Sequence, residues 1–156
     1  MAGMADDLFR AGLRSAIEAL SAWAKPLEDV ADIEIREASG FWRLTARPKT
    51  KAACPLTLVL RNDQKFDLGI AGEHFEDRPI DDFELFAEIA RAVSDGRAEQ
   101  VRRFCAVTGA PRAIETRLIF EDGSVWSGER RLAPAYRLVI NDDEVQETQR
   151  FLPYRR

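Results

Sequence analysis

Ile80 to Gly96 is the one stretch of this chain whose start, face and stop can all be read locally. Asp81 is placed to cap a first turn, Glu84 can reach back to the Asp81 amide, and Ile80 can staple against Leu85. Leu85, Phe86, Ile89, Ala92 and Val93 then fall on one side of a 3.6-residue period, and Gly96 stands where a left-handed terminator is wanted. A helix with one apolar stripe needs a layer to lie on. Because nearly everything around it alternates as β-hairpins, that layer is expected to be a sheet.

A second helix is predicted over residues 5–24, where Phe9, Leu13, Ala16, Ile17, Leu20 and Trp23 recur at spacings of three and four before Pro26. Asp32 to Arg47 reads as a hairpin about Ser39-Gly40, with Ile33 opposite Ala46, Ile35 opposite Leu44 and Glu37 opposite Trp42. Pro55 to Ile70 reads as another. A three-residue connection at Asn62-Asp63-Gln64 brings Leu56, Leu58 and Leu60 opposite Ile70, Leu68 and Phe66, whereas a two-residue one would mismatch every pair. Ala71 to Pro79 reads as an acidic loop.

Beyond Gly96 the expected turns are Gly109-Ala110 and Asp122-Gly123. They gather Val101, Arg103, Cys105, Ile114, Thr116, Leu118, Phe120 and Val125 on the face toward the helices. The other face then carries Arg102, Phe104, Glu115, Arg117, Ile119, Trp126 and Arg130. Tyr136 to Ile140 reads as a strand, Asn141-Asp142-Asp143 as a turn or a helix cap, and Val145, Thr148, Phe151 and Leu152 as a short helix. The expected fold is thus α+β: one antiparallel sheet of hairpins with two main helices on one face, in the order α-ββββ-α-ββββ and a terminal α. With 156 residues, 46% of them hydrophobic and 32% charged, the chain suits a single domain. Its halves, 1–79 and 80–156, repeat the same element order.

No apolar run approaches the ~20 residues that cross a bilayer, and the charges of Asp6, Asp7, Arg10, Arg14 and Glu18 are unlike a signal peptide. The cytoplasm is the expected location. The net charge of −4 works against a nucleic-acid partner, although Arg102, Arg117, Arg130, Arg131 and Trp126 could form a basic aromatic platform. Cys54 and Cys105, in apolar strand contexts with no CxxC partner, read as reduced structural thiols.

The chain holds no phosphate-binding glycine loop, GxSxG elbow or paired-cysteine zinc pattern, and its motifs call for no cofactor. This points away from an enzyme. The only histidine, His74, stands with Glu73, Glu76 and Asp77 in a run that could ligate a divalent ion or supply a base, and a small-ligand or metal-dependent enzyme or binding domain centred there is the alternative. The expected partner site is instead the outer face of the later strands, Arg102, Phe104, Arg117, Ile119, Trp126 and Arg130. There Arg102 is expected directly opposite Arg117, and Ile119 opposite Trp126. A large apolar pair edged by arginines needs a cover, either residues 132–152 of the same chain or a second chain. The element order resembles that of dimeric chaperones holding secretion effectors, a likeness of architecture that no motif carries. The reading is a non-catalytic interaction protein, a chaperone, adaptor or immunity-like inhibitor, whose partner is another protein chain or a second copy of itself.

Overall fold

The structure, a computed structural model, describes residues 5–132 and 143–155. Helix α1 covers Asp6–Ala24 and runs into a 3-10 turn at Lys25–Leu27 that takes in Pro26. Strands β1 (Ala31–Glu37), β2 (Phe41–Pro48), β3 (Leu56–Arg61), β4 (Lys65–Ile70) and β5 (Glu73–Pro79) follow, then helix α2 (Leu85–Ser94). Strands β6 (Ala98–Cys105), β7 (Pro111–Ile119), β8 (Val125–Arg131) and β9 (Glu144–Arg150) complete the order. The chain is α+β, as expected, but its strands form two antiparallel sheets, β1-β2-β3-β4-β5 and β8-β7-β6-β9, instead of one.

The two hairpins of the first sheet, β1–β2 and β3–β4, follow the expected register pair by pair. Ile33 faces Ala46, Ile35 faces Leu44, Leu58 faces Leu68 and Leu60 faces Phe66. One face of β2, β3 and β4 is therefore a continuous apolar layer, with Trp42, Leu44, Ala46, Leu56, Leu58, Leu60, Phe66, Leu68 and Ile70 all buried. A one-residue slip would turn that whole layer to water, which is why the register could be read from the alternation. Phe86 of α2 meets Phe66 edge to face, with ring centroids 5.0 Å apart. Phe83 lies over Gly12 of α1, where a Cβ would come within 2.2 Å of the ring. Buried residues of both helices and of both sheets belong to one apolar cluster.

Helix α2 starts later than the sequence suggests. It begins at Leu85, Asp82 accepts the Glu84 amide at 2.9 Å, and Asp81 makes no cap. Its end is as expected: Gly96 (φ +77) carries the chain out, while the Arg97 amide returns to Ala92 and the Gly96 amide to Val93. That double return is the Schellman arrangement.

Residues 71–79 are a strand where an acidic loop was expected. Ala71 (φ +53) and Gly72 (φ +85) both take the left-handed conformation of a two-residue hairpin turn, so Ile70 faces Glu73 and Leu68 faces Phe75. Farther along β5 the register shifts at a bulge where Asp77 (φ +57) donates its amide to Asp67 at 2.9 Å.

The terminal helix expected around Val145 and Thr148 is strand β9, paired with β6 from Glu99–Arg150 to Cys105–Glu144. The tail beyond it anchors on the first half and on the end of α2. Tyr154 donates its hydroxyl to the Cys54 carbonyl at 2.6 Å and its amide to Ser94, and Arg155 pairs with Asp29. Trp23 closes the same corner by donating to the Ser94 hydroxyl at 3.0 Å. The strand expected at Tyr136 to Ile140, with Asn141 and Asp142 of the turn after it, lies outside the described residues.

Candidate functional site

The two hairpin turns of the second sheet are longer than expected, and this decides which side chains meet. After β6, residues 106–109 form the loop: the Cys105 amide returns to Ala110 and the Gly109 amide to Cys105. Between β7 and β8 the loop is Glu121-Asp122-Gly123, closed by the Phe120 amide on Ser124, with Gly123 at φ +86 and Asp122 accepting the Ser124 amide. Arg117 thus stands opposite Glu99, not Arg102, and Trp126 stands opposite Leu118, not Ile119. Both slips are odd, so β6 and β8 present the faces opposite to those expected, while β7 keeps its own.

Gln100, Thr116 and Leu118 consequently point at the core, and all three are buried. Trp126, Gly128 and Arg130 lie on this same inner face of β8, and each meets β5 of the first sheet. Trp126 packs edge to face on Phe75 with centroids 5.2 Å apart. Gly128 leaves room for the same ring, since a Cβ there would come within 2.4 Å of it. Arg130 holds the buried Glu73 carboxylate through Nε at 2.7 Å and Nη2 at 3.1 Å. Part of the cover expected over Trp126 is therefore supplied by β5 of the same chain, which leaves the indole half-buried.

The six residues expected to share one outer face are divided. Arg117 is on the outer face, where it binds Glu115 through Nε at 2.9 Å and reaches Glu99 at 3.5 Å. Arg103 joins Glu115 from the other side at 2.8 Å. Flanked first by Arg117 and then by Arg103, the Glu115 carboxyl is lowered to about 2. Ile119 lies on the outer face beside Val125, the two being 37% and 55% exposed. Trp126 and Arg130 are engaged with β5. Arg102 and Phe104 remain, on the inner face but beyond its covered part.

Arg102 is exposed and sits between Ile114 on β7 and Glu147 on β9. Phe104 is half-buried opposite Val145, which is 49% exposed. Arg102, Phe104, Ile114, Val145 and Glu147 thus share a shelf on which the apolar pair Phe104 and Val145 lies next to the row of Ile114, Arg102 and Glu147.

The His74 cluster does not converge. Strand alternation turns Glu73 and Phe75 inward and His74 and Glu76 outward, with His74 across from Gly69. Glu73 is bound by Arg130, and Asp77 by Arg61, whose guanidinium holds that carboxyl below its ordinary range. Among the described residues no three His, Cys, Asp or Glu side chains are grouped to hold a metal ion. Both cysteines are free and buried. Burial pushes the Cys54 thiol up to about 12, whereas hydrogen bonds from the Thr108 side chain and from the Thr108 and Val107 amides draw Cys105 down to about 7. A shallow charged cleft of about 170 Å³ lies between α2 and the β7–β8 loop, lined by Glu88, Arg91, Arg97, Phe120, Glu121 and Asp122. Among the described residues no helix is long and apolar enough to cross a membrane. No family model, no curated protein and no solved structure matches the chain.

What sequence reasoning missed is β5 as a strand, and with it the junction between the sheets. The signal was present in Ala71-Gly72, a pair suited to a tight hairpin, followed by Glu73 and Phe75 in alternation with His74 and Glu76.

Proposed function

We propose that the protein is a non-catalytic interaction protein of the chaperone, adaptor or immunity kind, working in the cytoplasm as a homodimer and holding another protein chain on a sheet face. The face is the Phe104 and Val145 shelf of the second sheet, not the Trp126 surface. One observation carries this reading: half-buried Phe104 stands beside exposed Val145 on this face, with Arg102 and Glu147 paired in the next row. An accessible apolar pair edged by charges suits a protein-binding patch. Several polar groups near the sheet junction and on the outer face are engaged within the chain: Glu115 and Arg117 in an ion-pair network, Glu73 with Arg130, Gln100 with the Ala71 carbonyl.

A photo-crosslinking amino acid at position 145, introduced in the cells that make the protein, tests the shelf against the same residue at position 127 on the outer face. A discrete adduct with one protein from position 145, absent from position 127, is the expected result. No adduct from either, or equal adducts from both, would remove the shelf as the binding face.

A further inference from the structure

We infer that two copies of the chain join through β1, the outer strand of the first sheet, edge to edge about a two-fold axis. This deepens the homodimer part of the reading above and is independent of the shelf. The Ala38 amide bonds to Phe41 and the Lys49 amide to Val30, each at 2.9 Å, which assigns the even-numbered residues of this strand to the ladder with β2. Alternation then directs the amides and carbonyls of Ala31, Ile33, Ile35 and Glu37 outward along the sheet edge. Such a row is a template for another strand.

The strand is complementary to itself. A two-fold axis normal to the sheet keeps each side chain on its own face, and the register that engages all seven residues of β1 centres on Glu34. It sets Ile33 of one copy against Ile35 of the other, and Asp32 against Arg36, each pairing occurring twice. Ile33 and Ile35 lie on the core face, opposite Ala46 and Leu44, yet Ile35 is 44% exposed. In the paired arrangement they extend the apolar layer of the first sheet across the axis.

The outer face has a matching charge deficit. Arg36 stands directly opposite Arg43, a like-charge pair, and both lean on the Glu34 carboxylate, at 3.0 and 3.6 Å. Asp32 of a second copy would give Arg36 a carboxylate of its own, and the two Glu34 side chains at the axis would each retain their own arginines. Another outer strand, β9, serves less well. Centred on Glu147, the same operation sets Val145 against Gln149 and Gln146 against Thr148, with no apolar pair.

Sedimentation equilibrium tests the interface through a charge swap. The wild-type chain is expected at twice its monomer mass. Asp32→Arg or Arg36→Asp alone should weaken the dimer about tenfold, because symmetry applies each change twice. The double variant Asp32→Arg/Arg36→Asp should restore it, and Ile35→Lys should give a monomer with unchanged circular dichroism. A monomeric wild type would overturn the proposal, as would a dimer indifferent to all these changes. A dimer lost instead on Val145→Asp would move self-association to the shelf. The crosslinking experiment at position 145 reads the shelf whatever the mass, so the two readings can fail separately.

Discussion

Arg130 of β8 closes both Nε and Nη2 on the carboxylate of Glu73 of β5, at 2.7 and 3.1 Å, and so ties the outer strand of one sheet to the outer strand of the other. The carboxylate is 7% exposed, so its charge is tolerated because a fork-shaped cation matches it. Trp126 on Phe75 and the bare backbone of Gly128 belong to the same contact, which makes this junction the place where the two halves can be uncoupled by single changes.

Removing the cation should therefore cost more than removing both charges. Arg130→Ala leaves Glu73 buried without its partner and is expected to lower stability by about 1–3 kcal/mol. Glu73→Leu with Arg130→Met should recover most of that loss, since an ion pair replaced by apolar groups of similar volume is often neutral or better. Urea unfolding midpoints of the single and double variants measure both effects. A double variant as unstable as Arg130→Ala would mean that the pair contributes attraction beyond its own desolvation.

Gly128 is required by Phe75. Because the Cβ of an alanine there would come within 2.4 Å of Phe75 Cε1, Gly128→Ala should destabilise by about 1–3 kcal/mol through overpacking. Phe75→Leu in the same chain should relieve the clash, so the two losses should sum to more than the loss of the double variant. Strict additivity in thermal unfolding would show that the strands separate without cost.

Acid should act through Glu115. Arg117 and then Arg103 lower its carboxyl from 4.5 to about 2. A depressed carboxyl contributes stability that is complete above its unfolded value and is lost as pH falls through its folded one. The wild-type protein is accordingly expected to lose stability between about pH 4.5 and pH 2, and Glu115→Gln to show a flatter profile over that window. Equal slopes in urea titrations at several pH values would mean that the network on the outer face does not couple to folding.

The first sheet was legible because its information is local and redundant. Ser39-Gly40 and Asn62-Asp63-Gln64 bound short turns, and the strands they join alternate Leu, Ile, Ala and Phe with polar residues, so one register buries everything apolar and its neighbour buries nothing. In β6 both faces contain large or charged side chains, Gln100 and Arg102 on one and Val101 and Arg103 on the other. Alternation there does not choose, and the choice passes to the loops. Loops at 106–109 and 121–123, where shorter turns at Gly109-Ala110 and Asp122-Gly123 were expected, reverse the faces of two strands and move Trp126 from a supposed binding surface into a sheet junction.

Helix α1, the stop of α2 at Gly96, the α+β class and the pairing of β1 with β2 and of β3 with β4 were all determined by the sequence, because each rests on neighbours within a turn or a hairpin. Tertiary structure decided the rest. Glu144 to Arg150 is a strand because the edge of β6 takes it, and Glu73 tolerates burial because Arg130, 57 positions away, arrives with two donors. Contacts between segments so distant are specified by how two sheets pack, and no period in the chain records that.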